Sequence, residues 1–245
     1  MKICAAQTRP ARGDVEKNIE RHEQLIAQAV AERADVIIFP EMSLTGYEPE
    51  LAADLAMEID DGRLDVFQKI SDTARITIGA SAPTKSNGGV CISMILFQPN
   101  EARRIYSKQF LHPDEEEFFV PGKKSDGLIH GKLKLALAVC YELSVPEHSR
   151  RAFENGANVY FASVAKTAEG VAAAAEDLTE IAKKYSMTVL TANCVGQSSD
   201  GECVGNSSIW DGKGRLVGRL NDADEGIIMI DTDTQKLTLK SRSIA

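Results

Sequence analysis

The chain has 245 residues, of which 43% are hydrophobic. Because α/β folds commonly reach this size without splitting, we predict one domain over residues 1–245. The formal net charge of -8 argues against a nucleic-acid or anionic-membrane partner, since both would require clustered Lys and Arg. The N-terminus lacks the apolar segment of a signal peptide, and no apolar run approaches the roughly 20 residues that span a bilayer.

The cysteines and histidines follow no metal-binding or disulfide pattern. Five cysteines are widely spaced and form no CxxC pair, which favours a reducing cytoplasm over an oxidising compartment. The four histidines have no metal-ligand spacing, so we predict no metal site and expect each to lie on the surface or behind a site. They are His22, His112, His130 and His148.

The first 41 residues predict a β-α-β unit. Lys2–Gln7 reads as a strand, Asp14–Ala31 carries apolar residues at helical spacing behind an Asp cap, and Ala34–Phe39 is a second strand. Pro40 ends this strand, and Glu41 follows at the kind of sheet edge where ligands usually bind. The alternative is that Glu41 is a solvated loop acid, as most glutamates are.

The next segment predicts a helix and a β-hairpin. Gly62–Arg75 is the helix, and Ile76–Ala80 and Gly89–Gln98 are strands that flank the turn-forming KSNGG. A tight hairpin joins antiparallel strands, whereas the β-α-β unit joins parallel ones, so the sheet is predicted to be mixed. Ala102–Lys108 pairs next and ends in Lys108.

An acidic loop follows this strand. Its sequence FLHPDEEEFFVPG contains four consecutive acids, Asp114 to Glu117, between turn-forming prolines. A solvated acidic face accounts for two or three of them, but not for all four.

A strand-to-helix elbow lies at Cys140. The strand KLKLALAV ends at this residue, and Ser144, Pro146 and Glu147 resemble a helix start, with Ser144 as the cap and a stop at Asn155-Gly156. Backbone N–H groups at such an elbow favour a thiolate, which suits a nucleophile. Position alone fits a buried, inert cysteine equally well.

The remainder of the chain predicts further strands and one long helix. About ten strands and a few amphipathic helices indicate sheet layers covered by helices. The remaining predicted elements are a strand at Val159–Ser163, a helix over AAAAEDLTEIAKKYS, strands at Thr188–Cys194 and Gly205–Trp210, a hairpin in DGKGRLVGRL and a closing strand at Gly226–Asp231.

Three chemical groups thus stand at or near strand ends: Glu41, Lys108 and Cys140. Together they suit nucleophilic catalysis at a carbonyl-like carbon, with the carboxylate as base and the ammonium stabilising negative charge. The backbone N–H of Tyr141 is a candidate oxyanion donor.

Three motifs resemble the signature blocks of the nitrilase (carbon-nitrogen hydrolase) superfamily: FPEMSLTGY, YSKQFLHPDEEEFFVPG and LAVCYELSVPEHSRRAFENGANV. The resemblance implies an α/β fold, a four-layer αββα sandwich of mixed sheets, with neither metal nor organic cofactor. It implies that Glu41 is the general base, Lys108 stabilises the tetrahedral intermediate and Cys140 forms a thioester. It also implies a second pocket glutamate, Glu115, with Glu116 as the alternative.

The resemblance further implies a homodimer, or a higher homo-oligomer, packed through the helix from Pro146 to Asn155. Two departures leave the substrate open: CYELSVPE lacks the arginine that follows the cysteine in many members, and EGVAAAAEDL replaces an aromatic-rich segment. The short C-terminus favours an amidase acting on a small linear amide or carbamoyl-amide. The alternatives are a nitrile hydrolase with the same triad, and a binding protein that keeps the fold without catalysis.

Overall fold

The computed structural model describes residues 1–125, 127–129 and 134–242. His130 and the predicted strand residues Lys132 and Leu133 lie outside these ranges. In chain order the elements are β1 (Lys2–Gln7), α1 (Val15–Ala31), β2 (Val36–Ile38), α2 (Ala52–Leu55), α3 (Asp65–Ala74), β3 (Thr77–Ser86), β4 (Gly89–Phe97), β5 (Arg104–Ser107), β6 (Leu128–Ile129), β7 (Leu135–Val139), α4 (Pro146–Glu154), β8 (Val159–Ser163), α5 (Ala168–Tyr185), β9 (Thr188–Ala192), β10 (Val195–Ser198), β11 (Gly201–Val204), β12 (Ser208–Trp210), β13 (Leu216–Arg219), β14 (Glu225–Asp231) and β15 (Leu237–Arg242).

Two large sheets organise these strands. The first has the order β15-β14-β1-β2-β3-β4-β5, and the second has the order β13-β12-β9-β8-β7-β6. Both are mixed: β1, β2 and β3 run parallel while β3 and β4 form an antiparallel hairpin, and β7, β8 and β9 run parallel while β9 and β12 are antiparallel. The predicted mixed topology is therefore confirmed.

The two sheets pack face to face, with helices on both outer sides. Ile38 of the first sheet and Leu137 and Phe161 of the second belong to one buried cluster between the sheets. On the outside of the first sheet Phe67 of α3 packs into a second cluster, and on the outside of the second sheet Leu178 of α5 packs into a third. The predicted αββα sandwich is confirmed.

Strand alternation explains why the central strands read as nearly continuous apolar runs. In β1, Ile3 and Ala5 face the space between the sheets, whereas Cys4 and Ala6 face the helical layer, and all four are fully buried. Successive side chains in a strand point to opposite faces, so a strand covered on both sides must be apolar at every position.

Several element boundaries differ from the predictions. The first hairpin strand extends to Ser86 rather than stopping at Ala80. The segment after β14 forms β15, which is the edge strand of the first sheet. The predicted closing strand, β14, is therefore the second strand from that edge. The hairpin β10–β11 was also missed. Ladder hydrogen bonds to a neighbouring strand stabilise these strands. Their polar, alternating sequences predict a strand only weakly.

The helix after the elbow starts differently from the prediction. A 3-10 turn, Cys140–Ser144, precedes α4, and Val145 occupies the N-cap without a side-chain cap bond. Ser144 Oγ instead donates to Asp177 Oδ2 at 2.7 Å, which ties the elbow to α5. Within the described ranges, no helix is long and apolar enough to cross a membrane.

Candidate active site

Glu41 lies in the turn directly after β2. The amide of Met42 donates to Ser81 Oγ at 2.9 Å, and Phe39 O accepts from Ser163 Oγ at 2.8 Å. These bonds reach both large sheets, because Ser81 is in β3 and Ser163 is in β8. The backbone on either side of Glu41 is therefore held by neighbours from both layers.

Lys108 follows β5 and is anchored through its own backbone. Its amide donates to Ile92 O at 2.9 Å, and its carbonyl accepts from the amide of Gly122 at 2.7 Å. A Cβ at Gly122 would stand 2.4 Å from the carbonyl oxygen of Ser107. Only glycine lets the acidic loop return so close to β5, which closes it over the lysine.

Cys140 is the first residue after β7 and adopts a left-handed backbone conformation with φ of 43°. This region is uncommon for a residue other than glycine and is often found at functional sites. The sharp turn leaves the residue partly exposed while Val139, one position earlier, is fully buried. The elbow predicted from the sequence is present.

A buried carboxylate supports the elbow from behind. Glu142 accepts from the amide of Val139 at 2.8 Å and from the amide of Gln109 at 2.6 Å. It therefore joins the residue before Cys140 to the residue after Lys108. Tyr106 also donates to Glu142, at 2.8 Å, and contacts His148 Nε2 at 2.9 Å.

This network was not predicted, although the acid two residues after the candidate nucleophile was the available signal. Burial raises the pKa of Glu142 to about 7, against the opposing hydrogen bonds from Val139 and Gln109. Burial also lowers the pKa of His148 to about 4. His148 thus lies behind the site, consistent with its expected place.

A compact charge cluster forms the floor of the site. Lys108 Nζ lies 2.9 Å from Glu41 Oε1 and 2.6 Å from Glu115 Oε1. Glu115 also accepts from Tyr47 OH at 3.0 Å and from the amide of His112 at 2.7 Å. Across the described part of the chain, Glu41 Oε2 has no hydrogen-bond partner, so one buried acceptor is left free.

Glu115 is the one buried acid of the DEEE run. Glu116, Glu117 and Asp114 are exposed, and Asp114 pairs with His112 Nδ1 at 2.5 Å. The structure therefore brings Glu115, and not Glu116, to Lys108. The sequence left this choice between adjacent residues open, and the 3-10 turn Pro113–Glu115 determines it.

The three central groups have shifted pKa values. Burial raises the pKa of the Glu41 carboxyl, and Lys108 opposes the rise. Burial lowers the pKa of the Lys108 ammonium, but the charges of Glu41 and Glu115 outweigh this effect and raise the pKa overall. The lysine therefore stays protonated despite having no solvent exposure.

The expectation that the elbow favours a thiolate is wrong. Burial, followed by the charge of Glu41, raises the pKa of the Cys140 thiol to about 12, and the nearby cations Lys166 and Lys108 do not offset these effects. The cysteine is therefore a neutral thiol at physiological pH, and it needs a base in order to react.

These groups line one cavity of about 220 Å³. It brings together all four predicted side chains and Tyr141, whose ring meets that of His112 edge-on at 5.2 Å. The sequence did not single out the remaining polar lining. The whole lining consists of Glu41, Tyr47, Lys108, His112, Asp114, Glu115, Cys140, Tyr141, Ala165, Lys166, Thr167, Gly170 and Asp200.

Comparison with known proteins defines the class. Residues 2–240 match the family described as carbon-nitrogen hydrolase. Since this match covers nearly the whole chain, the protein belongs to the carbon-nitrogen hydrolase family, and the predicted family and enzyme class are confirmed.

Curated relatives include amidases. A 2-oxoglutaramate amidase of Bacillus subtilis (strain 168) is 27% identical over 231 residues, covering 91% of this chain and 87% of that protein. A nitrilase of Pyrococcus abyssi (strain GE5 / Orsay) is 25% identical over 240 residues, covering 95% and 90%.

Solved structures with the same fold include an amidase from Nesterenkonia sp. AN1. A cysteine-to-alanine mutant in complex with butyramide has a TM-score of 0.85 at 23% identity, covering 96% of this chain and 92% of that chain. A glutamate-to-glutamine mutant carries the acetamide moiety of fluoroacetamide covalently added at its active-site cysteine, with a TM-score of 0.85 at 24% identity and coverage of 94% and 89%.

Proposed function

We propose that this protein hydrolyses a small linear amide or carbamoyl-amide through a thioester on Cys140. The observation that carries the proposal is the Lys108 ammonium held between Glu41 and Glu115 in the cavity that Cys140 lines. A base, a fixed cation and a neutral thiol in one cavity are the groups that acyl transfer from an amide requires.

In the first half of the reaction Glu41 accepts the thiol proton as the Cys140 sulfur attacks the carbonyl carbon. The C=O electron pair moves onto oxygen, where Lys108 and the backbone N–H of Tyr141 stabilise the negative charge. Collapse of this intermediate breaks the C–N bond, and the departing nitrogen takes the proton from Glu41. Ammonia or an amine leaves, and the acyl group remains on sulfur.

In the second half water replaces the leaving group. Glu41 accepts a proton from this water as its oxygen attacks the thioester carbon, and the same donors stabilise the second oxyanion. The C–S bond then breaks, and the sulfur recovers a proton from Glu41. The products are a carboxylic acid, or a carbamic acid from a carbamoyl substrate, and the restored thiol.

Glu115 supports both steps through Lys108. Its carboxylate lies 2.6 Å from Lys108 Nζ and is itself held by Tyr47 and the amide of His112. It keeps the ammonium charged and fixed, and it stands at the cavity wall where it can orient the substrate amide or the attacking water.

An amide is favoured as substrate by relatives named as amidases and by the amidase structure with bound butyramide. Nitrile hydrolysis is the second candidate, because a relative is named a nitrilase. A third candidate is a ligand-binding protein without turnover.

The test compares short aliphatic amides, the matching nitriles and carbamoyl compounds on wild type and Cys140→Ser. Turnover of amides, abolished in the variant, supports the proposal. Turnover of nitriles without the matching amides would establish the second candidate. A tight ligand in thermal-shift screening with no turnover at all would establish the third.

We further propose a single catalytic domain over residues 1–245 that acts as a homodimer, or higher homo-oligomer, in the cytoplasm without nucleic-acid or membrane partners. Phe153 of α4 is 48% exposed and stacks on Tyr185 of α5 at 5.1 Å. This apolar pair makes α4 and α5 the expected interface. Light scattering at micromolar concentration tests the assembly, and a monomer would contradict it.

A further inference from the structure

Lys166 is a second cation in the cavity, and the proposed reaction does not use it. It follows β8 and lines the same cavity as Cys140. Its charge acts on the Cys140 thiol by lowering its pKa, against the larger raising effects of burial and Glu41. Because Lys166 and Cys140 line the same cavity, a substrate bound at Cys140 lies beside the Lys166 side chain.

The position of Lys166 is fixed by an asparagine that binds both of its backbone groups. Asn193 Oδ1 accepts from the Lys166 amide at 2.8 Å, and Asn193 Nδ2 donates to the Lys166 carbonyl at 3.0 Å. The same Nδ2 donates to Gly205 O at 2.8 Å, and Asn193 is buried. A buried side chain with its polar atoms used in this way holds the Lys166 backbone rigidly.

The side-chain stem is also packed. A Cβ added at Gly170, in the first turn of α5, would lie 3.3 Å from Lys166 Cβ and 3.4 Å from its Cγ. The stem therefore runs across this glycine. A larger residue at position 170 would crowd the Lys166 stem, so glycine at this position allows the lysine to line the cavity.

No acid is paired with this lysine among the residues that the structure describes. Glu41 and Glu115 are both engaged by Lys108, and Asp114 pairs with His112. A partly buried ammonium without a carboxylate partner has lost part of its hydration, and an anion from the substrate would compensate for that loss.

We propose, building on the function proposed above, that Lys166 selects amides that also carry a carboxylate, such as the monoamide of a dicarboxylic acid. The amide carbon lies at Cys140 and the carboxylate pairs with the Lys166 ammonium. Charge-assisted hydrogen bonds of this kind are worth about 1.5–3 kcal/mol, or roughly 10- to 150-fold in affinity.

The acids of the cavity offer a weaker site for a cationic substrate. Asp114 already pairs with His112. Burial, together with the charges of Asp114 and Glu115, raises the pKa of Asp200 and so disfavours its charged form. Of the two lysines that line the cavity, Lys108 is held by Glu41 and Glu115, whereas Lys166 has no ion-pair partner among the described residues. The position beside Lys166 therefore favours a substrate carboxylate over an ammonium.

The experiment measures kcat/KM for three amides that share a five-carbon chain: glutaric acid monoamide, its methyl ester and 5-aminopentanamide. The variants are Lys166→Met, Lys166→Arg and, as a control, Lys183→Met at the exposed end of α5. Wild type should prefer the carboxylate over the ester by at least about tenfold. Lys166→Met should reduce this preference at least about tenfold, Lys166→Arg should retain most of it, and Lys183→Met should leave it unchanged.

A parallel measurement separates this inference from the proposed reaction. Binding of the same three compounds to Cys140→Ser is followed by calorimetry, with and without Lys166→Met. If wild type cleaves none of them but binds the carboxylate through Lys166, the proposed reaction fails and the selectivity stands. Equal cleavage of all three, a preference for the ammonium compound, or an equal loss on the acid and the ester in Lys166→Met would overturn the role of Lys166.

Discussion

The Lys108 ammonium donates to Glu41 Oε1 at 2.9 Å where neither side chain has any solvent exposure. Removing one member of a buried ion pair leaves an uncompensated charge, which typically costs about 3–5 kcal/mol. This pair also joins the two segments that follow β2 and β5. It is therefore a structural link as well as a chemical one.

Lys108→Met should destabilise the protein by about 3 kcal/mol or more, because it leaves Glu41 and Glu115 buried together without a cation. Urea denaturation measures the change. The matched control is Lys85→Met, whose partner is Glu58 in an exposed pair of 57% and 60% exposure. That control should change stability by less than about 1 kcal/mol. Equal effects of the two changes would contradict the importance of the buried pair.

Glu115→Gln should preserve the fold and lower turnover at least about tenfold, since positioned acid-base groups contribute roughly 10²–10⁴. Steady-state kinetics on the best amide measures it, with circular dichroism as the folding check. Glu117→Gln is the control, because Glu117 is exposed. A silent Glu115→Gln alongside an inactive Glu116→Gln would mean that the neighbouring acid has the role.

Glu41→Gln should lower the pKa of the Cys140 thiol from about 12, because the charge of Glu41 is the largest contribution to that rise after burial. Turnover should nevertheless fall, since the base is lost. Iodoacetamide alkylation followed against pH measures the thiol, and Cys140→Ala gives the background from the other cysteines. A pKa that is unchanged or raised in Glu41→Gln would show that the carboxylate does not act on the thiol.

The buried acid Glu142 predicts a pH-dependent part of stability. Its pKa is raised from 4.5 to about 7 by burial, so the folded state holds a proton that the unfolded state releases. The stabilisation is complete below pH 4.5 and is lost as the pH rises from 4.5 through 7, by roughly 3 kcal/mol.

Comparing wild type with Glu142→Gln isolates this part, because both proteins keep His148 and Tyr106. The difference in unfolding free energy, wild type minus variant, should decrease between pH 5 and pH 8. Urea denaturation at each pH measures it. A difference that is constant, or that increases with pH, would show that Glu142 is ionised throughout this range.

Much of the architecture was readable from the sequence because the core strands are apolar on both faces. The ends of these strands also marked Glu41, Lys108 and Cys140, and the structure brings those three residues to one cavity. The edge strand β15 was not predicted, because its sequence, LTLKSR, is largely polar and partly exposed. Even Leu239 is 46% exposed.

The rest of the site could not be predicted from local sequence, because it depends on contacts between residues that are far apart in the chain. The link between Glu142 and Gln109 spans 33 positions, and the one between Asn193 and Lys166 spans 27. Lys166 itself lies in a loop before a helix, and the loop sequence carries no signal of a functional site. The charge state of Cys140 also depends on its neighbours in space, because burial and Glu41 outweigh the elbow that suggested a thiolate.

Intact-protein mass spectrometry of rapidly quenched turnover tests the central claim most directly. Wild type mixed with a substrate amide should gain the mass of the acyl group, and the adduct should map to Cys140. Cys140→Ala should show neither adduct nor turnover. Full activity in Cys140→Ala, with no acyl adduct on wild type, would contradict the thioester mechanism.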